Sequence, residues 1–299
     1  MGNKKLLGSL LLLLTAMIWG AAFAFQRMGS GSVEPVTFTA SRMALAALSV
    51  GAASLLLKRK RPQEDTPEQK RATIVGGICC GLFLAAASIF QQVGLATTTA
   101  GKAGFITALY ILLVPLVNLL LFRKRCAPQV WLAIAVGVVG MYLLCMTEGF
   151  RLARGDTMVC LCAVLFTGQI LCCDYFAPRG DPVRLAAIQS FTVFLVSLVI
   201  ALLFEHPSLA AIKAAAVPIL YCGVMSAGVG YTLQMIAQGF TDPTVASLLM
   251  SMESVFAVLG GALLLHERMT GRELLGCVIM FAAIVLVQLP APGGRKTAE

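Results

Sequence analysis

An acidic side chain stands inside an apolar run near the end of the chain. Glu253 lies about ten residues into the run Pro243–Leu265, which corresponds to a depth of about 15 Å if the run is a membrane helix. A charge at the centre of a bilayer costs about 2.5–3.5 kcal/mol on insertion scales, so it needs a reason to be there. Two interpretations stay open. Glu253 is a solute or proton site that faces a wet cavity, or it is a buried carboxylate that fixes helix packing.

Uncharged polar and aromatic side chains recur at helical spacing in other apolar runs. Residues three or four positions apart share one helix face. Because lipid offers polar groups no partner, such faces are expected to turn inward. They indicate either interhelical hydrogen bonds, worth roughly 0.6 kcal/mol each, or the lining of a cavity. The residues are Trp19, Phe23, Gln26, Gln91, Gln92, Tyr110, Gln169, Tyr231, Gln234 and Gln238.

Basic residues within or beside the apolar runs are expected to have structural roles. Arg42 lies two turns into the run Pro35–Leu57. It is expected to snorkel to the interface, or to pair with Glu34 or with a carboxylate on another span. Lys102 and the segment Thr97–Thr99 are expected at the interface, where the threonines cap a helix.

The sequence lacks the usual motifs of catalysis and metal binding. Its ten cysteines and two histidines show no CxxC or HxxxH spacing, so neither a metal site nor a structural disulfide is expected. There is no nucleotide-binding loop, GxSxG or HExxH, and no cluster of acids for a diphosphate. No cofactor is expected, and active transport would need an ion or solute gradient.

The elements that hold these side chains are predicted from composition. Hydrophobic residues make up 59% of the 299 residues, charged residues only 12%, and mean hydropathy is +0.88, whereas an average soluble protein is about 25% charged. This predicts an all-α integral membrane protein. Ten spans are predicted, at Leu6–Gln26, Pro35–Leu57, Ala72–Leu95, Ala103–Phe122, Pro128–Thr147, Thr157–Phe176, Leu185–Phe204, Ala214–Ala237, Pro243–Leu265 and Leu274–Leu289.

The distribution of basic residues predicts the orientation. Most of the 23 Lys and Arg residues fall in cytoplasmic segments when both termini are placed inside, as the positive-inside rule requires. The excess of nine positive charges is explained in this way, and no basic stripe with interleaved aromatics indicates a nucleic-acid partner. A multi-pass protein of the cytoplasmic membrane is expected.

The chain divides into two halves with the same rhythm of spans. Residues 1–150 and 151–299 each hold five predicted spans, and the motif Gly94-Leu95 with Thr99 corresponds to Gly239-Phe240 with Thr244. Because five is odd, the second half must be inverted in the membrane relative to the first. Inverted repeats place a substrate site between the halves near the bilayer midplane and permit alternating access.

The order and spacing of several motifs resemble the drug/metabolite transporter superfamily, in its ten-span EamA-type family. The motifs are Ile18-Trp19-Gly20, Ser41-Arg42-Met43, the segment from Gln92 to Tyr110 that runs on to Pro115, Gly230–Gln234, Ser251–Ala257 and His266-Glu267-Arg268. Two departures are visible. Ser254 stands where the family usually has Pro after the acid, so no local kink is expected there, and His266 stands where the last motif usually has Gly.

The resemblance implies two inverted five-helix halves around a central cavity, with spans five and ten at the periphery. Members of the family export or import amino acids and other small metabolites. The hypothesis is therefore a monomeric secondary transporter of such compounds, with export the favoured direction, working by alternating access with proton coupling or passively. The expected substrate contacts are Trp19, Gln92, Tyr110, Gln169, Tyr231, Gln234 and Glu253. The alternatives are a membrane enzyme acting on lipid-linked substrates and a non-transporting receptor.

Overall fold

The computed structural model describes residues 2–60, 65–98, 100–123, 127–145, 154–264 and 270–289. Every element within these ranges is helical. The helices are α1 Gly2–Gly29, α2 Pro35–Lys60, α3 Pro67–Leu95, α4 Ala100–Thr107, α5 Tyr110–Phe122, α6 Pro128–Cys145, α7 Arg154–Phe176, α8 Pro182–Phe204, α9 Leu209–Ala214, α10 Ala216–Leu220, a π-helix Tyr221–Gly230, α11 Tyr231–Gln238, α12 Pro243–Met250, α13 Glu253–Leu264 and α14 Gly271–Gln288. Thr99, the His266-Glu267-Arg268 motif and the side chain of Lys102 lie outside the described part.

Eight helical segments are long and apolar enough to cross a bilayer, which confirms a multi-pass membrane protein. They are Lys4–Gly29, Pro35–Lys58, Pro67–Leu95, Ala103–Phe122, Arg154–Phe176, Pro182–Phe204, Ala216–Gln238 and Pro243–Gly260. Helices satisfy their own backbone groups, so they are stable in hydrocarbon. The predicted fifth and tenth spans correspond to the shorter apolar helices Pro128–Leu143 and Leu274–Val287.

The predicted fourth and ninth spans are not continuous helices. The fourth is broken at residues 108–109, between α4 and α5, and the ninth at residues 251–252, between α12 and α13. The segment before each break is eight residues long. The first residues after the breaks, Tyr110 and Glu253, are 143 positions apart, so each half of the chain contains one interruption.

Two serine hydroxyls bond to carbonyls of the preceding turn just before the interruption at Glu253. The Ser251 hydroxyl donates to the Leu248 carbonyl at 2.7 Å, and Ser247 does the same one turn earlier, to Thr244 at 2.8 Å. Serine hydroxyls that bond to carbonyls of the preceding turn compete with the helical backbone. The helix is thus interrupted without the proline that the resemblance associates with a kink.

The predicted eighth span contains a ten-residue π-helix, Tyr221–Gly230, between α10 and α11. Pro218 precedes it within α10. The Trp19 indole N–H donates to the Ser226 carbonyl at 3.0 Å, and the Tyr221 hydroxyl donates to the Ile18 carbonyl at 3.2 Å. These bonds attach the π-helix to α1. Wide helical turns of this kind are rare and frequently lie at functional sites.

Helix packing brings the two halves of the chain together. The helix α3 packs on α7 and α8, α2 packs on α8 and the π-helix, and α1 packs on α13. The carboxylate of Glu205, which follows α8, accepts hydrogen bonds from the backbone N–H groups of Val36 at 2.9 Å and Thr37 at 2.7 Å. It therefore caps the first turn of α2. The helices α6 and α14 pack chiefly against each other.

Candidate functional site

A cavity with both polar and aromatic lining residues lies where both broken helices meet α1, α2, α3, α7, the π-helix and α11. Its volume is about 30 Å³. A buried water needs roughly 10–15 Å³, so the cavity has room for water but is too small for larger molecules. Its lining consists of Trp19, Phe23, Gln26, Arg42, Gln91, Thr107, Tyr110, Phe166, Gln169, Ile170, Ser226, Tyr231, Gln234 and Glu253.

The two helix breaks are joined across this cavity by one hydrogen bond. The Tyr110 hydroxyl donates to Glu253 Oε1 at 2.9 Å. Both side chains are buried, at 2% and 4% exposure. Each is the first residue of the helix that follows its break, and the position of Glu253 in the first turn of α13 suits an acid because of the helix dipole. A change in this hydrogen bond therefore acts directly on both broken helices.

One wall of the cavity is aromatic. The rings of Trp19 and Tyr231 have centroids 4.9 Å apart, and Phe23 and Phe166 complete the wall. Gly230 lies directly against the indole, because a Cβ atom at that position would be 2.5 Å from Trp19 Nε1. With its N–H bonded to Ser226, the indole is held in one orientation, with its apolar face available to a ligand.

Amide side chains form the polar part of the lining. Gln169 Nε2 donates to Gln189 Oε1 at 3.1 Å and lies 3.2 Å from Gln234 Oε1, while Gln234 Nε2 lies 3.2 Å from Gln169 Oε1. Gln91 Nε2 donates to the Thr107 hydroxyl at 3.3 Å. These groups can both donate and accept hydrogen bonds, so the lining can orient a polar solute by exchanging partners.

A cation also lines the cavity. Arg42 is only 3% exposed, and its Nη1 donates to Gln26 Oε1 at 3.3 Å. Of the alternatives considered for Arg42, pairing with Glu34 does not occur in the described part of the chain, and the Glu34 carboxylate accepts the backbone N–H of His206 at 2.8 Å. Arg42 and Glu253 thus contribute opposite formal charges to one cavity, and no ion pair within the described ranges joins them.

Six of the seven expected contact residues lie together on this cavity, namely Trp19, Tyr110, Gln169, Tyr231, Gln234 and Glu253. Gln92 lies apart from them. Its Nε2 donates to the Ser30 hydroxyl at 2.9 Å and lies 3.5 Å from the Gln26 carbonyl. Gln92 is therefore placed between the central cavity, which Gln26 lines, and a second cavity that Ser30 lines.

That second cavity, termed the loop vestibule, lies among the segments that follow α1, α3 and α8. Its volume is about 460 Å³. Gln26 and Ser30 are one helical turn apart, so about 6 Å of protein along the helix axis separates the two cavities there. The vestibule is lined by Ser30, Gly31, Ser32, Val33, Glu34, Pro35, Thr37, Ala96, His206, Ser208 and Ala211.

Several lining residues were not expected as contacts. Phe166 lies three residues before Gln169 and four before Ile170, so the helical period of α7 links Gln169 to Phe166, and Phe166 to Ile170. Thr107 and Ser226 gave no such signal, because they reach the cavity through the break before Tyr110 and through the π-helix. Neither irregularity follows from hydropathy.

Comparison with protein families identifies the family of this chain. The model of the EamA-like transporter family matches the chain twice, over residues 6–146 and 153–289. The chain belongs to the EamA-like transporter family. It is thus a membrane transporter, and this membership points away from an enzyme. A transporter of this kind has a small-molecule substrate and a surrounding lipid bilayer as its partners.

Individual relatives agree with this family assignment. An uncharacterized transporter of Archaeoglobus fulgidus is 28% identical over 288 residues, which cover 96% of this chain and 88% of that protein. A crystal structure of a protein with 20% identity superposes with a TM-score of 0.76 over 96% of this chain and 97% of the other. At that identity the second comparison shows a shared fold.

Proposed function

We propose that this EamA-like protein is a secondary transporter that moves small polar or amphipathic metabolites, such as amino acids or related compounds, through the central cavity. The observation that carries the proposal is the meeting of the two broken helices at that cavity, where Tyr110 contacts Glu253. Transporters commonly build their substrate sites from discontinuous helices near the bilayer midplane. The aromatic wall provides apolar contact and the glutamines orient polar groups.

The proposal includes two inverted repeats, residues 1–150 and 151–299, that rearrange relative to each other. It is supported by the double match of the family model and by the interrupted span, with an eight-residue first segment, that each half contains. The cavity is too small for a metabolite as it stands. A solute therefore enters only when the helices move apart, and the loop vestibule beyond Gln92 is the route on that side.

Proton coupling at Glu253 follows from the same contact. When Glu253 is ionised, the Tyr110 hydroxyl donates a charge-assisted hydrogen bond to it. Protonation replaces this bond with a weaker neutral one. Because the bond joins both broken helices, proton binding lowers the cost of separating them. Proton binding thereby becomes linked to opening of the cavity, whereas a passive carrier would cycle without this change.

We also propose an orientation in the membrane, a direction of transport and an oligomeric state. The positive-inside rule supports both termini in the cytoplasm of a multi-pass protein in the cytoplasmic membrane. Export is the proposed direction. One chain contains both halves that line the cavity, so a monomer is the proposed functional unit.

The experiment uses purified protein in liposomes and a pool of small metabolites that includes the common amino acids. Liposome contents are measured by mass spectrometry with and without a pH gradient, against protein-free liposomes. The expected result is enrichment of one compound class, increased by the gradient. In Glu253→Gln the response to the gradient is lost, whereas Glu68→Gln, which changes an exposed acid in the first turn of α3, behaves as wild type.

Other outcomes discriminate between the alternatives. Normal gradient-driven enrichment in Glu253→Gln contradicts proton coupling at this residue. Chemical conversion of a lipid-linked compound without movement of solute would favour the enzyme alternative. Saturable binding without enrichment, by protein shown to be folded, would favour a receptor and contradict the proposed function.

A further inference from the structure

Arg42 lines the central cavity and has an unused hydrogen-bonding edge. Its Nη1 contacts Gln26, but its Nε and Nη2 atoms are buried and have no hydrogen-bond partner in the described part of the chain. The nearest aromatic contact is the Phe38 ring, whose centroid lies 5.9 Å from the guanidinium carbon. A buried polar group without a partner is costly, and a buried charge more so.

The acids that could neutralise Arg42 within the protein are engaged elsewhere. Glu34 accepts the His206 N–H, Glu205 caps α2, and Glu253 accepts the Tyr110 hydroxyl. No carboxylate in the described ranges forms a hydrogen bond or ion pair with Arg42. A purely structural arginine at this depth would be expected to have such a partner, because intramembrane charges normally pair with one another or with backbone carbonyls.

The two unpartnered atoms are the ones suited to a carboxylate. Nε and Nη2 lie on the same edge of the planar guanidinium, and their N–H bonds are parallel. A carboxylate accepts two parallel hydrogen bonds from such an edge, an arrangement that lysine cannot reproduce. An anion with this geometry would satisfy both orphaned donors and the buried charge together.

We propose that the Nε–Nη2 edge of Arg42 binds a carboxylate group of the transported solute. This inference rests on the proposed function, and it adds a substrate class and a binding residue to it. The carboxylate lies against Arg42, and the rest of the solute extends toward the aromatic wall of Trp19 and Tyr231. Glu253 is then free to handle the proton, because the solute anion is held by a different residue.

The test measures binding independently of transport. Trp19 and Trp131 are the two tryptophans of the chain, so in Trp131→Phe the indole on the cavity wall is the fluorescent reporter. This protein, purified in detergent, is titrated with acetate and with acetamide, which have nearly the same size, at constant ionic strength in sodium chloride. We expect saturable binding of acetate. Acetamide should bind at least about tenfold more weakly, because it cannot form the charge-assisted pair with the guanidinium.

Variants assign the effect to one residue. In the Trp131→Phe background, Arg42→Lys keeps the charge but loses the planar edge, so acetate should bind about tenfold more weakly. Arg42→Gln should abolish the preference for acetate over acetamide. Arg27→Gln is the matched control, because Arg27 is exposed and donates to the Leu95 carbonyl at 2.9 Å. It should keep the preference.

Equal binding of acetate and acetamide, absence of a saturable response to acetate, or an unchanged preference in Arg42→Gln would each overturn the inference. If Arg42→Gln does not fold, the comparison of the two probes on the parent protein and on Arg42→Lys still decides. A protein that binds acetate through Arg42 but enriches no solute in liposomes contradicts the proposed transport alone. A protein that enriches solutes without any carboxylate preference contradicts this inference alone.

Discussion

Replacement of Tyr110 by Phe should destabilise the protein by an amount that depends on the protonation of Glu253. The change removes one hydroxyl, and with it the bond to Glu253 Oε1, while leaving the ring in place, so no cavity is created. A hydrogen bond to a charged group contributes about 1.5–3 kcal/mol and a neutral one about 0.5–1.5 kcal/mol. The loss of unfolding free energy should therefore be larger by about 1–1.5 kcal/mol when Glu253 is ionised.

The assay is reversible unfolding in mixed micelles, performed on wild type and Tyr110→Phe from acid to alkaline pH. The difference between the two proteins should be small at acid pH and should rise as Glu253 loses its proton. In the Glu253→Gln background the same difference should stay small at every pH, which completes a double-mutant cycle. A difference that does not change with pH, or one of equal size in both backgrounds, would refute the proposed role of this contact.

Three further predictions concern packing and capping. Gly230→Ala should displace the Trp19 indole, which a new Cβ would approach to 2.5 Å, and should shift its fluorescence emission, whereas Gly51→Ala, with no atom within 4 Å of its Cβ, should not. Glu205→Gln should lower the unfolding free energy by about 1–2 kcal/mol, because a charged cap of α2 becomes neutral; an unchanged thermal midpoint in detergent would contradict this. Gly77→Leu should lower the free energy of unfolding by about 1–3 kcal/mol through overpacking, because a Cβ at this position would already lie 2.6 Å from a side chain of α8. A thermal midpoint equal to that of wild type would contradict this and would show that α3 and α8 can move apart at little cost in free energy.

Much of the architecture follows from the sequence because lipid leaves few alternatives. Apolar runs of sufficient length must be helices, and the eight long spans lie where hydropathy places them. The helical period placed Trp19, Tyr231 and Gln234 on inward faces, and these residues do line one cavity. Which of them contacts a solute remains a prediction.

The breaks and the π-helix could not be predicted in the same way. They are defined by which carbonyl each backbone N–H group bonds to, and hydropathy does not register that choice. The same limit explains Gln92, which resembles Gln91 in sequence but bonds to Ser30. It also explains why Arg42 does not pair with Glu34. The Glu34 carboxylate accepts the backbone N–H of His206, just after α8, and this contact joins residues far apart in the chain.

Tracer counterflow tests most directly whether the central cavity is a solute site that is exposed to the two sides in turn. Liposomes containing the protein are loaded with a concentrated metabolite pool and diluted into a weaker pool of the same composition, uniformly labelled with a heavy isotope. If the protein is an alternating-access carrier, mass spectrometry will show a transient accumulation of at least one labelled compound above its external concentration. Labelled compounds that only equilibrate, at the rate seen in protein-free liposomes, would contradict the proposal.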